Sequence, residues 1–388
     1  MDCSVPTSFD MSFVQRGARL RRTPFFAATQ RYGAKAYTVY NHMLFPICFD
    51  DLEAEYWHLI NHVTLWDVAV ERQVEITGPD AFTFTNMLTP RDLSKCAVGQ
   101  GKYVLITGDD GGVINDPVLL RLGENHFWLA LADSDVLLWA RGVALKAGLN
   151  VEIGEPDVSP LQIQGPKAKP VVEALFGKKV LDLSYYWFLE TTLDGIPVIV
   201  TRTGWSGEVG YEVYLRDGSR GDELWERIME AGKPHDIRPT GPSDIRRIEA
   251  GILNWGADIL LENNPYELGL DRLVSEKKTV DYIGKDALRR IKAAGVKRRL
   301  VGIEIDGAPI PFNATKWPVS VEGGVIGRVT SAIWSPRLKK NIGYAMLPVA
   351  KAGLGTQLAV EIPDVGKRAV TVVEMPFVDP AKAIPKKK

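Results

Sequence analysis

Cysteine is scarce in this chain. Cys3, Cys48 and Cys96 are far apart and form no C-x-x-C pair. That count argues against a disulfide framework or a thiolate metal site, and it fits a reducing compartment. An excess of charge is lacking too. The 47 basic residues nearly balance the 48 acidic ones, leaving a formal charge of -1, so nothing pulls the protein globally toward nucleic acid or an anionic membrane. No segment approaches the roughly 20 apolar residues that span a bilayer, and MDCSVPTSFDMSFVQRGARLRRTPFF at the start has no apolar run of signal-peptide length. A cytoplasmic protein working on small molecules is expected. The sequence also has no G-x-G-x-x-G turn after a strand, no G-x-S-x-G elbow and no Gly-Lys-Ser/Thr. Dinucleotide, acyl-serine and P-loop chemistries are therefore not signalled.

The 388 residues, 45% of them hydrophobic, suffice for two or three packed domains. Helical spacing of Leu52, Tyr56, Leu59 and Ile60 predicts a helix over Asp51 to His62, and alternation predicts a strand over Glu71 to Ile76. A helix over Ala81 to Leu88 follows Gly78-Pro79-Asp80. Tyr103 to Thr107 and Val113 to Leu120 read as a hairpin closed by Asp109-Asp110-Gly111-Gly112. After a strand over Phe127 to Leu131, Asp133-Ser134-Asp135 are residue types that cap a helix, here Val136 to Lys146. Further strands fall at Val151 to Ile153, Pro197 to Arg202 and Tyr211 to Leu215. Helices follow Gly165-Pro166 and cover Glu223 to Glu230 and Asp244 to Leu253. From Arg299 on, short strands alternate with glycine turns, as in a small barrel. The expected division is a tail (1–20), two interleaved α+β subdomains (21–295), a C-terminal β-barrel (296–378) and a solvated basic tail (379–388).

His58 and His62 have metal-ligand spacing, but Leu59 replaces the glutamate of H-E-x-x-H and no third ligand is evident, so packing histidines are expected. More informative is Gly204-Trp205-Ser206-Gly207-Glu208-Val209-Gly210-Tyr211-Glu212-Val213-Tyr214, a glycine-rich turn running into a strand. Glycines allow close approach of backbone to a flat ligand, Trp205 and Tyr214 offer aromatic faces, and Glu212 can accept two parallel hydrogen bonds from a 2-amino-pyrimidinone edge. By themselves these residues equally describe an ordinary hairpin with a solvated glutamate.

This stretch resembles the T-G-Y-T-G-E-x-G-Y-E signature of the glycine-cleavage T-proteins. Two other runs resemble that family in the same order. Asp244 to Gly251 with Trp255-Gly256-Ala257-Asp258-Ile259 is similar to R-D-x-L-R-x-E-A-G and Y-G-x-D-I. Gly327-Arg328-Val329-Thr330-Ser331 with Ser335-Pro336 and Asn341-Ile342-Gly343 is similar to its barrel motif. The resemblance implies an α+β fold, a three-domain cloverleaf with two mixed α/β domains and a C-terminal β-barrel around a central folate channel.

Arg21 to Phe25, Ala36 to Leu44 and Trp66 to Glu75 look most like the branch of the family that demethylates dimethylsulfoniopropionate. T-proteins carry D-V-S-H-M-G-E where this chain has Asp67 to Gln73, and paired aspartates where it has Asn115-Asp116. The demethylases differ in turn by G-W-S-K-Q-G-G at 204–210, a serine at Ala130 and aromatic pairs at Lys102-Tyr103. The resemblance implies a tetrahydrofolate-dependent methyltransferase. In it Asn115 and Asp116 stand at the catalytic position, and Tyr40, Trp205, Tyr214 and Lys102 meet a small onium donor. Glu212, Tyr103, Trp205, Tyr214 and Arg247 hold tetrahydrofolate. O- or N-demethylation, aminomethyl transfer and non-catalytic folate binding remain open alternatives, as does assembly with further copies of the chain. No nucleic-acid or membrane partner is expected.

Overall fold

The protein is described by a computed structural model covering residues 19–387. Two sheets and a barrel carry the fold. The larger sheet has six strands in the order Phe188–Leu193, Ile196–Thr201, Gly210–Leu215, Ser159–Gln164, Val63–Asp67 and Ile237–Pro239. Its neighbours are antiparallel except the last pair, which is parallel. The smaller sheet, entirely antiparallel, runs Glu152–Gly154, Gln73–Thr77, His126–Ala130, Val118–Gly123 and Gln100–Tyr103. Its chain segment lies between two adjacent strands of the larger sheet, Val63–Asp67 and Ser159–Gln164.

Each sheet covers one face with its own helices. The larger packs Val171 and Val172 of helix Ala168–Phe176 and Leu224, Trp225 and Ile228 of helix Gly221–Gly232 against Leu161, Val200 and Val213. The smaller packs Phe84 and Leu88 of helix Ala81–Leu88 and Val136 and Ala140 of helix Val136–Ala147 against Val74, Ile76 and Leu129. The two sheets meet through a separate cluster containing Leu120, Trp128, Phe188, Ile199 and Tyr214, all at most 8% exposed. The six strands from Arg298–Ile305 to Gly366–Val373 close into a barrel around Ile303, Val319, Val329, Val360 and Val372. Closure leaves the barrel no free strand edge.

Several details differ from expectation for local reasons. The helix beginning at Asp244 stops at Glu249, because Gly251 takes a left-handed φ of +65° and lets Ile252 N–H bond back to Arg247 O. The hairpin around Asp109 to Gly112 starts with Ile106–Thr107 paired to Val113–Asn115, with a register shift between Ile106 and Thr107. The pairing continues in the same register through Val104 N–H to Pro117 O at 3.0 Å into the ladder between Gln100–Tyr103 and Val118–Gly123, so the expected hairpin forms and also supplies the edge pair of the smaller sheet. Asp133 to Asp135 do not cap the next helix with their side chains. Asp133 accepts from Asn41 N–H at 2.7 Å, and the Ser134 hydroxyl donates to Ile114 O at 2.9 Å. The C-terminal tail, expected to be solvated, is docked. Pro385 is buried, Ile384 N–H bonds Asp379 at 2.7 Å, and Arg202 donates to Lys387 O at 2.7 Å. Cys96 is a free buried thiol, and Cys3 lies outside the described residues. No helix among the described residues is long and apolar enough to cross a membrane.

Candidate active site

Where the two sheets, helix Asp244–Glu249 and the docked tail converge, they enclose a cavity of about 530 Å³. Its wall carries the rings of Tyr40, Tyr103, Tyr185, Tyr186, Trp205 and Trp255 and the carboxyl groups of Glu71, Asp116 and Glu212.

Glu212 is 4% exposed and sits on a central strand. Its Oε1 accepts from Gln162 Nε2 at 3.0 Å and its Oε2 from the Tyr214 hydroxyl at 2.7 Å, with Thr201 at 3.4 Å. Residues i and i+2 of a strand share a face, which is why the tyrosine reaches the carboxylate. Burial raises the Glu212 pKa, and the hydroxyl bonds from Tyr214, Thr203 and Thr201 oppose that rise. Each carboxylate oxygen has two lone pairs, so Oε1, with one donor, still has room for a ligand N–H.

The glycines of this loop, of which Gly204 and Gly207 line the cavity, also have a packing purpose. A Cβ on Gly204 or Gly210 would come within 2.2 Å of the Gln164 amide, and one on Gly207 within 2.6 Å of Ala250. The glycines thus admit Gln164, whose Oε1 accepts from the Ser206 hydroxyl at 2.6 Å. The loop that presents Trp205 is clamped from below by Arg246, which donates to Glu208 at 2.8 Å and to Gly207 O at 3.1 Å.

Asn115 and Asp116 are split by strand alternation. Asp116 faces the cavity. Its Oδ2 accepts from the Tyr103 hydroxyl at 2.8 Å, its Oδ1 is buried without a partner, and burial pushes its carboxyl up to about 7. Asn115 is fully buried and does not line the cavity. It donates to Ala132 O at 3.0 Å and Ser134 Oγ at 2.8 Å and accepts from Ala132 N–H. It therefore pins the 132–134 turn behind the wall. Asn115→Asp should cost about 1–3 kcal/mol of stability, because the new carboxylate cannot donate to Ala132 O. Urea unfolding checks this, and an unchanged midpoint would contradict the assignment.

The other sequence candidates divide similarly. Tyr40 and Trp205 line the cavity, and the hairpin Ala36–Tyr40/Met43–Cys48 bearing Tyr40 is held by Asn41 Nδ2, which donates to Val70 O and Ala132 O. Tyr214 is fully buried behind the wall beside Trp128, with ring centroids 6.5 Å apart. It supports Glu212 and presents no face to a ligand. Lys102 is outside the lining, on the opposite face of its strand from Tyr103. Arg247 is likewise outside it. Its guanidinium bonds Asp244, Asp258 and Ser331 at 2.7–2.9 Å and lies 5.8 Å from the Trp205 ring centroid. It ties the helix to the barrel and backs the tryptophan.

His58 and His62 stack at 4.8 Å with Asp236 beside them, a third group the sequence reading did not find. His58 bonds Asp236 O, and the Lys167 ammonium lies 2.9 Å from His62 Nδ1. Sequence reasoning assigned no role to Glu71, Tyr185, Tyr186, Gln162 or Arg246. The signals for them were the aromatic run Tyr185-Tyr186-Trp187 and the membership of Glu71 and Arg246 in the runs Trp66 to Glu75 and Asp244 to Gly251.

Residues 17–278 match the GCVT N-terminal domain, and residues 298–379 match the glycine cleavage T-protein C-terminal barrel domain. The chain belongs to the glycine-cleavage T-protein family and is an enzyme of it. Dimethylsulfoniopropionate demethylase DmdA of Ruegeria pomeroyi is 41% identical over 94% of this chain and 99% of its own length. An aminomethyltransferase of Symbiobacterium thermophilum is 34% identical over 92% and 97%. In fold, the chain superposes on glycine cleavage system aminomethyltransferase T of Bartonella henselae with a TM-score of 0.83 at 24% identity, covering 93% of this chain and 98% of that one. That likeness establishes the three-lobed T-protein architecture.

Proposed function

We propose that the protein is a tetrahydrofolate-dependent demethylase that moves a methyl group from a small onium compound of the dimethylsulfoniopropionate type to tetrahydrofolate, giving 5-methyltetrahydrofolate. The observation that carries this reading is the Glu212 carboxylate, buried in an aromatic-walled cavity and held, among the described residues, by neutral donors with no cation paired to it. A flat ligand edge with two adjacent N–H groups, such as a pterin, suits it. The similarity to the demethylase of Ruegeria pomeroyi favours the same donor class.

Tetrahydrofolate supplies the nucleophile, nitrogen 5. A sulfonium centre gives up its methyl as it becomes a neutral thioether, so the transfer needs no acid to expel the leaving group. The chain's task is alignment, which in well-oriented cases contributes about 7–11 kcal/mol. Glu212 fixes the pterin edge, while the rings of Tyr40 and Trp205 hold a cation, each contributing about 0.5–2 kcal/mol. Asp116, whose carboxyl burial pushes up to about 7, would have suitable basicity to take the proton released from nitrogen 5. Incubation with tetrahydrofolate and a panel of methylated sulfonium and quaternary ammonium compounds should produce 5-methyltetrahydrofolate with at least one. If none yields it, the demethylase reading fails.

A further inference from the structure

The mechanism above leaves one cavity carboxyl without a task. Glu71 lies in the turn between strands Val63–Asp67 and Gln73–Thr77. Its backbone is fixed on both sides, by its own N–H to Val68 O at 2.9 Å and by Gln73 Nε2 to its carbonyl at 2.5 Å. The side chain therefore projects into the cavity. Among the described residues no hydrogen bond or ion pair reaches its carboxyl group. The nearby charges are of the same sign, since burial and the carboxylates of Glu212 and Asp116 all push its pKa up.

The basic side chains on the lining are committed or remote. Arg246 is engaged with Glu208 and Gly207. Arg272 and Lys382 are exposed at the rim. An enclosed cluster of three carboxyl groups with no cation among them is unfavourable unless a ligand brings positive charge or the groups take protons. Glu212 and Asp116 already accept hydrogen bonds from Tyr214 and Tyr103. Glu71 is the uncommitted member, and Tyr40 and Trp205 line the same space.

We infer that Glu71 sets the specificity for a permanently charged donor, its carboxylate serving as the counter-ion of a sulfonium or quaternary ammonium centre in the cavity. This rests on the demethylase reading for the identity of the donor, but charge selection is measured by binding alone. A ligand whose positive charge cannot be lost by deprotonation satisfies Glu71 without adding a donor hydrogen, and a neutral ligand of the same shape leaves the carboxyl group unpaired.

The test uses the full chain, wild type and Glu71→Gln, with two ligands of one shape: dimethylsulfoniopropionate and 4-methylpentanoate, in which carbon replaces the charged sulfur. Calorimetry with the wild type should show at least tenfold tighter binding of the sulfonium compound. Glu71→Gln should lose tenfold or more toward it and less than twofold toward 4-methylpentanoate, with tetrahydrofolate affinity and melting temperature retained. Equal losses for both ligands, no loss for either, or a wild type that does not distinguish them would overturn the inference. If charge selection follows Glu71 while no onium compound ever yields 5-methyltetrahydrofolate, the inference stands and the demethylase reading alone falls.

Discussion

Glu212→Ala should weaken tetrahydrofolate binding by about 2 kcal/mol or more, because hydrogen bonds to a charged group are worth about 1.5–3 kcal/mol each. That is roughly a thirtyfold rise in Kd. The effect is large because Glu212 is fixed before the ligand arrives. Gln162, Tyr214 and Thr201 hold the carboxylate from three sides, so little ordering remains to be done on binding. Tyr214→Phe removes one of those donors without touching the cavity wall, and a smaller loss of about 1 kcal/mol is expected. Calorimetry reads both. An unchanged folate affinity in Glu212→Ala would remove the pterin assignment.

Arg247→Met should lower folding stability by about 3–5 kcal/mol, the usual cost of breaking a buried ion pair from one side. Arg247 and Asp258 are 4% and 0% exposed and 2.7 Å apart. Asp258 also accepts from the Thr330 and Ser331 hydroxyls, both at 2.7 Å. Four elements are joined there: helix Asp244–Glu249, the Trp255 to Ile259 segment, the barrel strand Gly324–Ser335 and, through Arg247, the Trp205 ring. Methionine keeps the bulk and loses the charge, so denaturant unfolding isolates the ion pair. A midpoint within experimental error of the wild type would show that the barrel is not held through this residue.

These two residues illustrate how far the sequence could be read. Alternation and glycine turns located strands in both sheets and the change of pattern at the barrel, and three ordered motifs implied the three-lobed family fold. Strand Ser159–Gln164 was missed because it is buried along its whole length yet carries two glutamines. Both glutamines have buried partners, Glu212 for Gln162 and Ser206 for Gln164, so no polar face marks it. The site was legible as a set of segments but not as a set of side chains. In a strand, neighbours point to opposite faces, so Tyr103 and Asp116 face the cavity while Lys102 and Asn115 do not. Neighbours on a helix diverge by about 100°. Arg246 accordingly reaches the cavity and Arg247 the barrel. Which member of each pair is inside depends on register against distant strands, and one-dimensional spacing does not contain that.

Under the proposed function this cavity transfers a methyl group and not an aminomethyl group. The direct measurement supplies the enzyme and tetrahydrofolate with two donors at once, dimethylsulfoniopropionate carrying carbon-13 methyl groups and an unlabelled aminomethylated lipoyl carrier protein, and follows the folate products by NMR. The account predicts 5-methyltetrahydrofolate labelled at its methyl carbon, with no methylenetetrahydrofolate. Unlabelled methylenetetrahydrofolate as the main product would contradict it.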